Sequence, residues 1–196
     1  VQKFNADGTT TGNTMITLDG LSGQDYMPDI TVFDNQEFVV IWQGYDSSWN
    51  SHLFVQKFNA DGTTLGNPEV VLDNPAAYDK GQITPLPNGE FVVVYTHRIG
   101  WGDASILVQK FNADGTTIVN SMITLDGLNR QDFEPDITVL DNQEFVVMWE
   151  GYDSSWNTHL FVQKFNADGT TLGNPEVIVG SQAAYEKAQI TPLPNG

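Results

Sequence analysis

The chain has 196 residues, 25 of them Asp or Glu against 8 Lys or Arg, for a formal net charge of -17; nucleic acid and anionic membrane surfaces, which need a basic stripe, are excluded as partners. Hydrophobic residues make up 40% and charged residues 17%, the profile of a packed chain and not of an acidic disordered tail, and no apolar run reaches the ~18–20 residues of a membrane-spanning helix. With no cysteine, disulfides, thiolate metal sites and cysteine nucleophiles are excluded as well.

The chain opens on Val1-Gln2-Lys3-Phe4-Asn5-Ala6-Asp7-Gly8-Thr9-Thr10, and this string returns at Val55, Val108 and Val162. The spacing of about 50 residues marks a repeat protein. Residues 1–89 match 108–196 at 71 of 89 positions, so the larger unit is a pair of unlike repeats, A then B, 107 residues long. No segment carries the period of an amphipathic helix; the pattern is short strands and tight turns.

In chain order, the A repeat predicts strands at Pro28–Phe33, Glu37–Trp42, Leu53–Phe58 and Pro68–Leu72. Asp34-Asn35 and Asp61-Gly62 supply the turns. The B repeat predicts Gln82–Leu86, Glu90–Thr96, Ser105–Phe111 and Met122–Leu125. The unbroken runs FVVIW, FVVVY and FVVMW require strands buried on both faces. Four antiparallel strands per repeat, sandwiched between neighbours, predict an all-β fold, a β-propeller of alternating A and B blades of about 53 residues. A stack of β-sandwich or solenoid modules is the structural rival. The blade boundaries expected are a tail over 1–27, blade A over 28–81, blade B over 82–134, a second A blade over 135–188 and the start of another B blade at 189–196. On that count the chain is an incomplete window of about four blades, or else self-association completes the ring.

The string Glu37-Phe38-Val39-Val40-Ile41-Trp42-Gln43-Gly44-Tyr45-Asp46-Ser47-Ser48, followed by Leu53-Phe54-Val55-Gln56-Lys57-Phe58-Asn59-Ala60-Asp61-Gly62-Thr63, resembles the tandem repeats of large secreted bacterial proteins of the RTX-adhesin or haemolysin-like type. The resemblance implies a secreted or cell-surface location and a non-enzymatic array. The glycine-rich calcium nonapeptides that accompany such arrays are absent here, so calcium is not implied by it.

Propeller geometry assigns the strand 2–3 and 4–1 loops to one face and the remaining turns to the other. The 2–3 loops carry Tyr45, Asp46, Trp49, Asn50 and His52, copied as Tyr152, Asp153, Trp156, Asn157 and His159, and in the B repeat Arg98, Trp101 and Asp103. An indole ring beside carboxylates and amides is the combination that stacks on a sugar and hydrogen-bonds its hydroxyls. These residues are the candidate ligand site, with packing of the tryptophans as lids over the strand ends as the alternative. The 4–1 loops hold Asp19, Asp25 and Asp29, and again Asp126, Asp132 and Asp136, an oxygen-rich spacing for which Ca²⁺ is the one candidate ion and solvated acids the alternative. No other cofactor is expected.

Catalysis finds no motif: His52, His97 and His159 lie outside any metalloprotease spacing, and although two carboxylates on one propeller face could serve glycoside hydrolysis, nearly every acidic loop residue has a copy, whereas a catalytic centre is singular. Lys3, Lys57, Lys110 and Lys164 read as a solvated edge that blocks aggregation, with pairing to acids of a neighbouring strand as the alternative. The function expected is a non-catalytic, lectin-like module that binds glycans or cell-surface polysaccharide, with a purely structural segment of a surface fibre as the alternative.

Overall fold

Alternation along a strand sends successive side chains to opposite faces, so the apolar runs of this sequence demand a neighbouring sheet on each side. The computed structural model describes residues 1–18, 24–73, 78–98, 102–119, 121–127, 131–181 and 188–193, with the side chains of 12–14, 72–73, 78–80 and 180–181 left out. It meets that demand with strands alone; among the described residues there is no helix.

A two-stranded ladder, β1 (Gln2–Phe4) and β2 (Thr10–Met15), precedes three antiparallel four-stranded sheets. The first is β3 (Asp25–Val32), β4 (Phe38–Tyr45), β5 (Ser51–Phe58) and β6 (Thr64–Asp73), in that order. The second is β7 (Tyr78–Pro85), β8 (Phe91–Arg98), β9 (Ala104–Phe111) and β10 (Ile123–Leu125), and the third β11 (Asp132–Val139), β12 (Phe145–Tyr152), β13 (Thr158–Phe165) and β14 (Thr171–Ser181). Each sheet is a blade of a β-propeller, and the first strand β7 packs between β3 and β11. The strands run several residues further than the sequence predicts, beginning at Asp25 instead of Pro28 and ending at Tyr45 instead of Trp42. Polar residues at strand ends read as loop, yet backbone pairing continues through them, as in Tyr45 opposite Ser51.

The core lies between blades. Val39 and Ile41 of the first sheet meet Phe91, Val93 and Tyr95 of the second in one cluster. Val92 and Val94 face the other way, onto Phe145, Val147, Trp149 and Phe161 of the third. Val40 and Trp42 pack under the ladder against Val1 and Ile16. Each central strand is thus shared by two cores, which is why five consecutive residues can be apolar.

The repeated lysine is not the solvated edge that the sequence suggests. Lys57 and Lys110 are 4% and 8% exposed, and each joins two blades. Lys57 Nζ pairs with Glu37 at 2.7 Å and donates to the Ala113 carbonyl of the next blade at 2.5 Å. Lys110 does the same with Glu90 at 2.6 Å and Ala167 at 2.8 Å. The copies at the two ends of the array are more open: Lys3 is exposed, with its amine on the Ala60 carbonyl at 3.0 Å, and Lys164 is 44% exposed in its side chain. The adjacent glutamine bridges a break in the ladder. The pairing of β5 with β6 slips between Val55 and Lys57, and the Gln56 amide donates to the Leu65 carbonyl there at 2.9 Å.

Candidate functional site

The 2–3 and 4–1 connections do share one face: Tyr45 N donates to Gln24 O and Tyr152 N to Gln131 O, both at 3.1 Å. The long 2–3 loop expected from the sequence is instead a tight turn. Asp46 N donates to Asn50 O, and Trp49 N donates back to Asp46 O, each at 3.0 Å. The Asp46 carboxylate accepts from Ser48 N, Asn50 N and Asn50 Nδ2 at 2.8–2.9 Å, with His52 Nε2 at 3.5 Å. These donors, led by the Asn50 amide, hold its carboxyl down at about 2. Asp153 repeats the arrangement with Ser155, Asn157 and His159 and is held lower still. Asp46, Asn50 and His52, with their copies Asp153, Asn157 and His159, are therefore committed to shaping the turn.

What the turn presents is its tryptophan. Trp49 and Trp156 are 72% and 56% exposed, beside Tyr45 and Tyr152 at ring distances of 6.2 and 5.7 Å. They are not lids. In the B blade Arg98 ends β8 half-buried and Asp103 is exposed, while Trp101 lies outside the described residues.

The acidic 4–1 loops separate into distinct roles. Asp19 lies outside the described residues. Asp29 accepts from Ile83 N of the next blade at 3.1 Å and Asp136 from Ile190 N at 2.8 Å; both lock neighbouring first strands together. Asp25 and Asp126 are exposed. Among the described residues no group of three His, Asp or Glu side chains converges as a cation site; of the acids that sequence spacing brought together, Asp126 stays close enough to Asp132 for its charge to act on it, and Asp29 and Asp136 turn to the next blade.

Asp132 is different. It begins β11 and is 1% exposed. Its carboxyl accepts from Trp149 Nε1 at 3.1 Å and from Gly127 N at 3.0 Å. Burial, with the charges of Asp126 and Asp103 added, pushes it up to about 7 against these two donors. Its cross-strand partner is Gly151, where a Cβ would run into the carboxyl; the B blade carries Tyr78 opposite His97 at this place. In the first A blade the copy, Asp25, is exposed, and Trp42 Nε1 has no hydrogen-bond partner among the described residues. Against Asp132 stands the second blade, whose strands β7, β8 and β9 all contact β11.

Two further acids escaped sequence reasoning. Glu150, 1% exposed on β12, stands where the first copy has Gln43, and Glu134, with a left-handed φ of 49°, where it has Met27. Both break the repeat toward acid, and comparing the two A repeats for acids without a copy finds them.

No protein-family model matches the chain, and no curated protein matches it. The solved structures do. A thermostable family-43 glycoside hydrolase is similar over 78% of this chain and 53% of its own, with TM-score 0.51 and 13% identity. An endo-arabinase from Bacteroides thetaiotaomicron is similar over 87% and 68%, with TM-score 0.53 and 12% identity. An alpha-L-arabinofuranosidase from Lactobacillus brevis follows, over 83% and 57%, at 0.50 and 11%. The chain thus spans about half to two thirds of the length of these structures.

This likeness fixes the propeller fold, and it corrects the functional expectation. The expected non-catalytic lectin-like module, its fibre alternative and the exclusion of an enzyme are corrected by this finding: all three of these neighbours, at 11–13% identity, are glycoside hydrolases built on the same propeller fold. Motifs miss such a site for a physical reason: glycoside hydrolysis needs two carboxyls placed by the fold and no local pattern. Nor does repetition exclude a singular centre, since Glu134 and Glu150 have no acidic copies. No sequence family supports the RTX-adhesin resemblance.

Proposed function

We propose that the chain is part of a secreted or cell-surface carbohydrate-active enzyme that hydrolyses a polysaccharide at the junction of its second and third blades. The carrying observation is the placement of Asp132, a buried carboxyl at the loop face held by Trp149 Nε1 and Gly127 N within reach of the charges of Asp103 and Asp126, which burial pushes up to about 7. Environments that push neighbouring carboxyls apart in this way divide the roles of acid and base. Asp132 supplies the proton to the leaving glycosidic oxygen as the C–O bond breaks. Asp103 or Asp126, exposed and near enough for their charges to act on Asp132, activates the attacking water or attacks the sugar itself. The neighbouring folds that name arabinase and arabinofuranosidase activities make arabinose polymers and arabinofuranosides the first substrates to try.

The test is release of reducing sugar from arabinan and of the aglycone from an aryl arabinofuranoside. Hydrolysis that weakens as pH rises through about 7, and falls about 100-fold or more in Asp132→Asn, is the expected result. A folded protein that cleaves neither substrate, or an Asp132→Asn variant of undiminished rate, overturns the reading.

A further inference from the structure

Among the described residues, nine turns share one frame, in which the first residue's N–H donates to the fifth residue's carbonyl and the fourth residue's N–H to the first residue's. The fourth residue is always left-handed, with φ between 64° and 91°. Gly8, Gly62, Gly89, Gly115 and Gly169 fill it in five turns and Gln36 and Gln143 in two. In the remaining two it is Trp49 and Trp156, each at φ 64°. A bulky side chain in this conformation is strained. The strain is not offset by burial, since these are among the most exposed large apolar side chains of the molecule. The Asp46 and Asp153 networks hold both turns in place all the same, and the rings of Tyr45 and Tyr152 lie against the two indoles.

From this we infer that Trp49 and Trp156 are stacking platforms for an extended, uncharged polysaccharide chain that crosses the loop face. An indole face receives the apolar face of a sugar ring. Ser47 and Ser48, with Ser154 and Ser155, present polar side chains alongside. The platforms stand two blades apart, which at about 10 Å per packed sheet is about 20 Å, so one short oligosaccharide does not reach both. Asp46 and Asp153 at each platform, and the charge of -17, disfavour an anionic polymer. The inference deepens the proposed function, on which its choice of substrate class rests.

The experiment is affinity electrophoresis through linear high-molecular-weight arabinan, with thermal melting of the same proteins. The double variant Trp49→Gly, Trp156→Gly places in both turns the residue the conformation favours. It is expected to lose polymer retention by at least about tenfold with a melting temperature equal to or above the parent's, while Trp49→Tyr, Trp156→Tyr keeps most of the retention. Retention unchanged in the glycine variant, or no retention of the parent, overturns the inference. A parent that is retained by the polymer yet cleaves nothing sinks the hydrolytic reading and leaves the platforms standing.

Discussion

At the scale of single residues, Asp132 concentrates the tension between stability and chemistry. In the unfolded chain its carboxyl ionises near 3.8, and in the fold it keeps its proton to about 7. Its contribution to stability is therefore full below pH 3.8, declines as pH rises between those values and is flat above about 7. The shift corresponds to about 4 kcal/mol. Asp132→Asn, which cannot ionise, is expected to remove that decline: chemical denaturation at about pH 8 finds the variant more stable than the parent by a few kcal/mol, and at about pH 4 no more stable. A parent whose stability is level between about pH 4 and about pH 7 refutes the assignment. Asp25 occupies the same place in the first A repeat yet is exposed, and the repeat pattern alone does not distinguish the two.

At the scale of elements, the repeated turn is what strand order rests on. Asp61, Asp114 and Asp168 each accept from the N–H and hydroxyl of the threonine two residues on, at 2.6–2.9 Å, which holds their carboxyls below the usual range. The glycine between them takes the left-handed φ that L side chains avoid. Gly115→Ala is expected to cost about 1 kcal/mol, and Gln36→Gly, at the equivalent place of another turn, to stabilise by a similar amount; equilibrium unfolding in urea measures both. A result of the same sign for the two substitutions excludes the shared frame. These turns were legible in the sequence because Asp-Gly and Asn-Gly carry their conformation with them. The Asp-Ser-Ser-Trp turn was not, since tryptophan is the residue least expected at a glycine position, and the segment read as an open loop.

At the scale of the whole molecule, shared apolar cores and the buried lysines Lys57 and Lys110 join the blades at both junctions between the three sheets, while Asp29 and Asp136, one in each A blade, add a carboxylate on the backbone of the next first strand. Lys110→Ala removes the partner of Glu90 and a donor to Ala167, and is expected to cost about 3 kcal/mol. Lys3→Ala, at an exposed position whose amine reaches Ala60 at 3.0 Å, is expected to cost less than about 1 kcal/mol. Thermal melting of the pair measures the difference, and equal costs exclude the junction role.

The sequence by itself determined the repeat, the all-β class, the sandwiching of blades and the residues of the turns, because these follow from local periodicity and backbone preference. Tertiary structure alone decided the rest. It turned Lys57 and Lys110 from a solvated edge into bolts between blades and gave the acids that spacing had grouped different partners. It also buried one of two repeat-equivalent aspartates and left both turn tryptophans in solvent. Each of these depends on which sheet stands beside a residue, and that neighbour comes from about 50 residues away along the chain, beyond the reach of any local pattern.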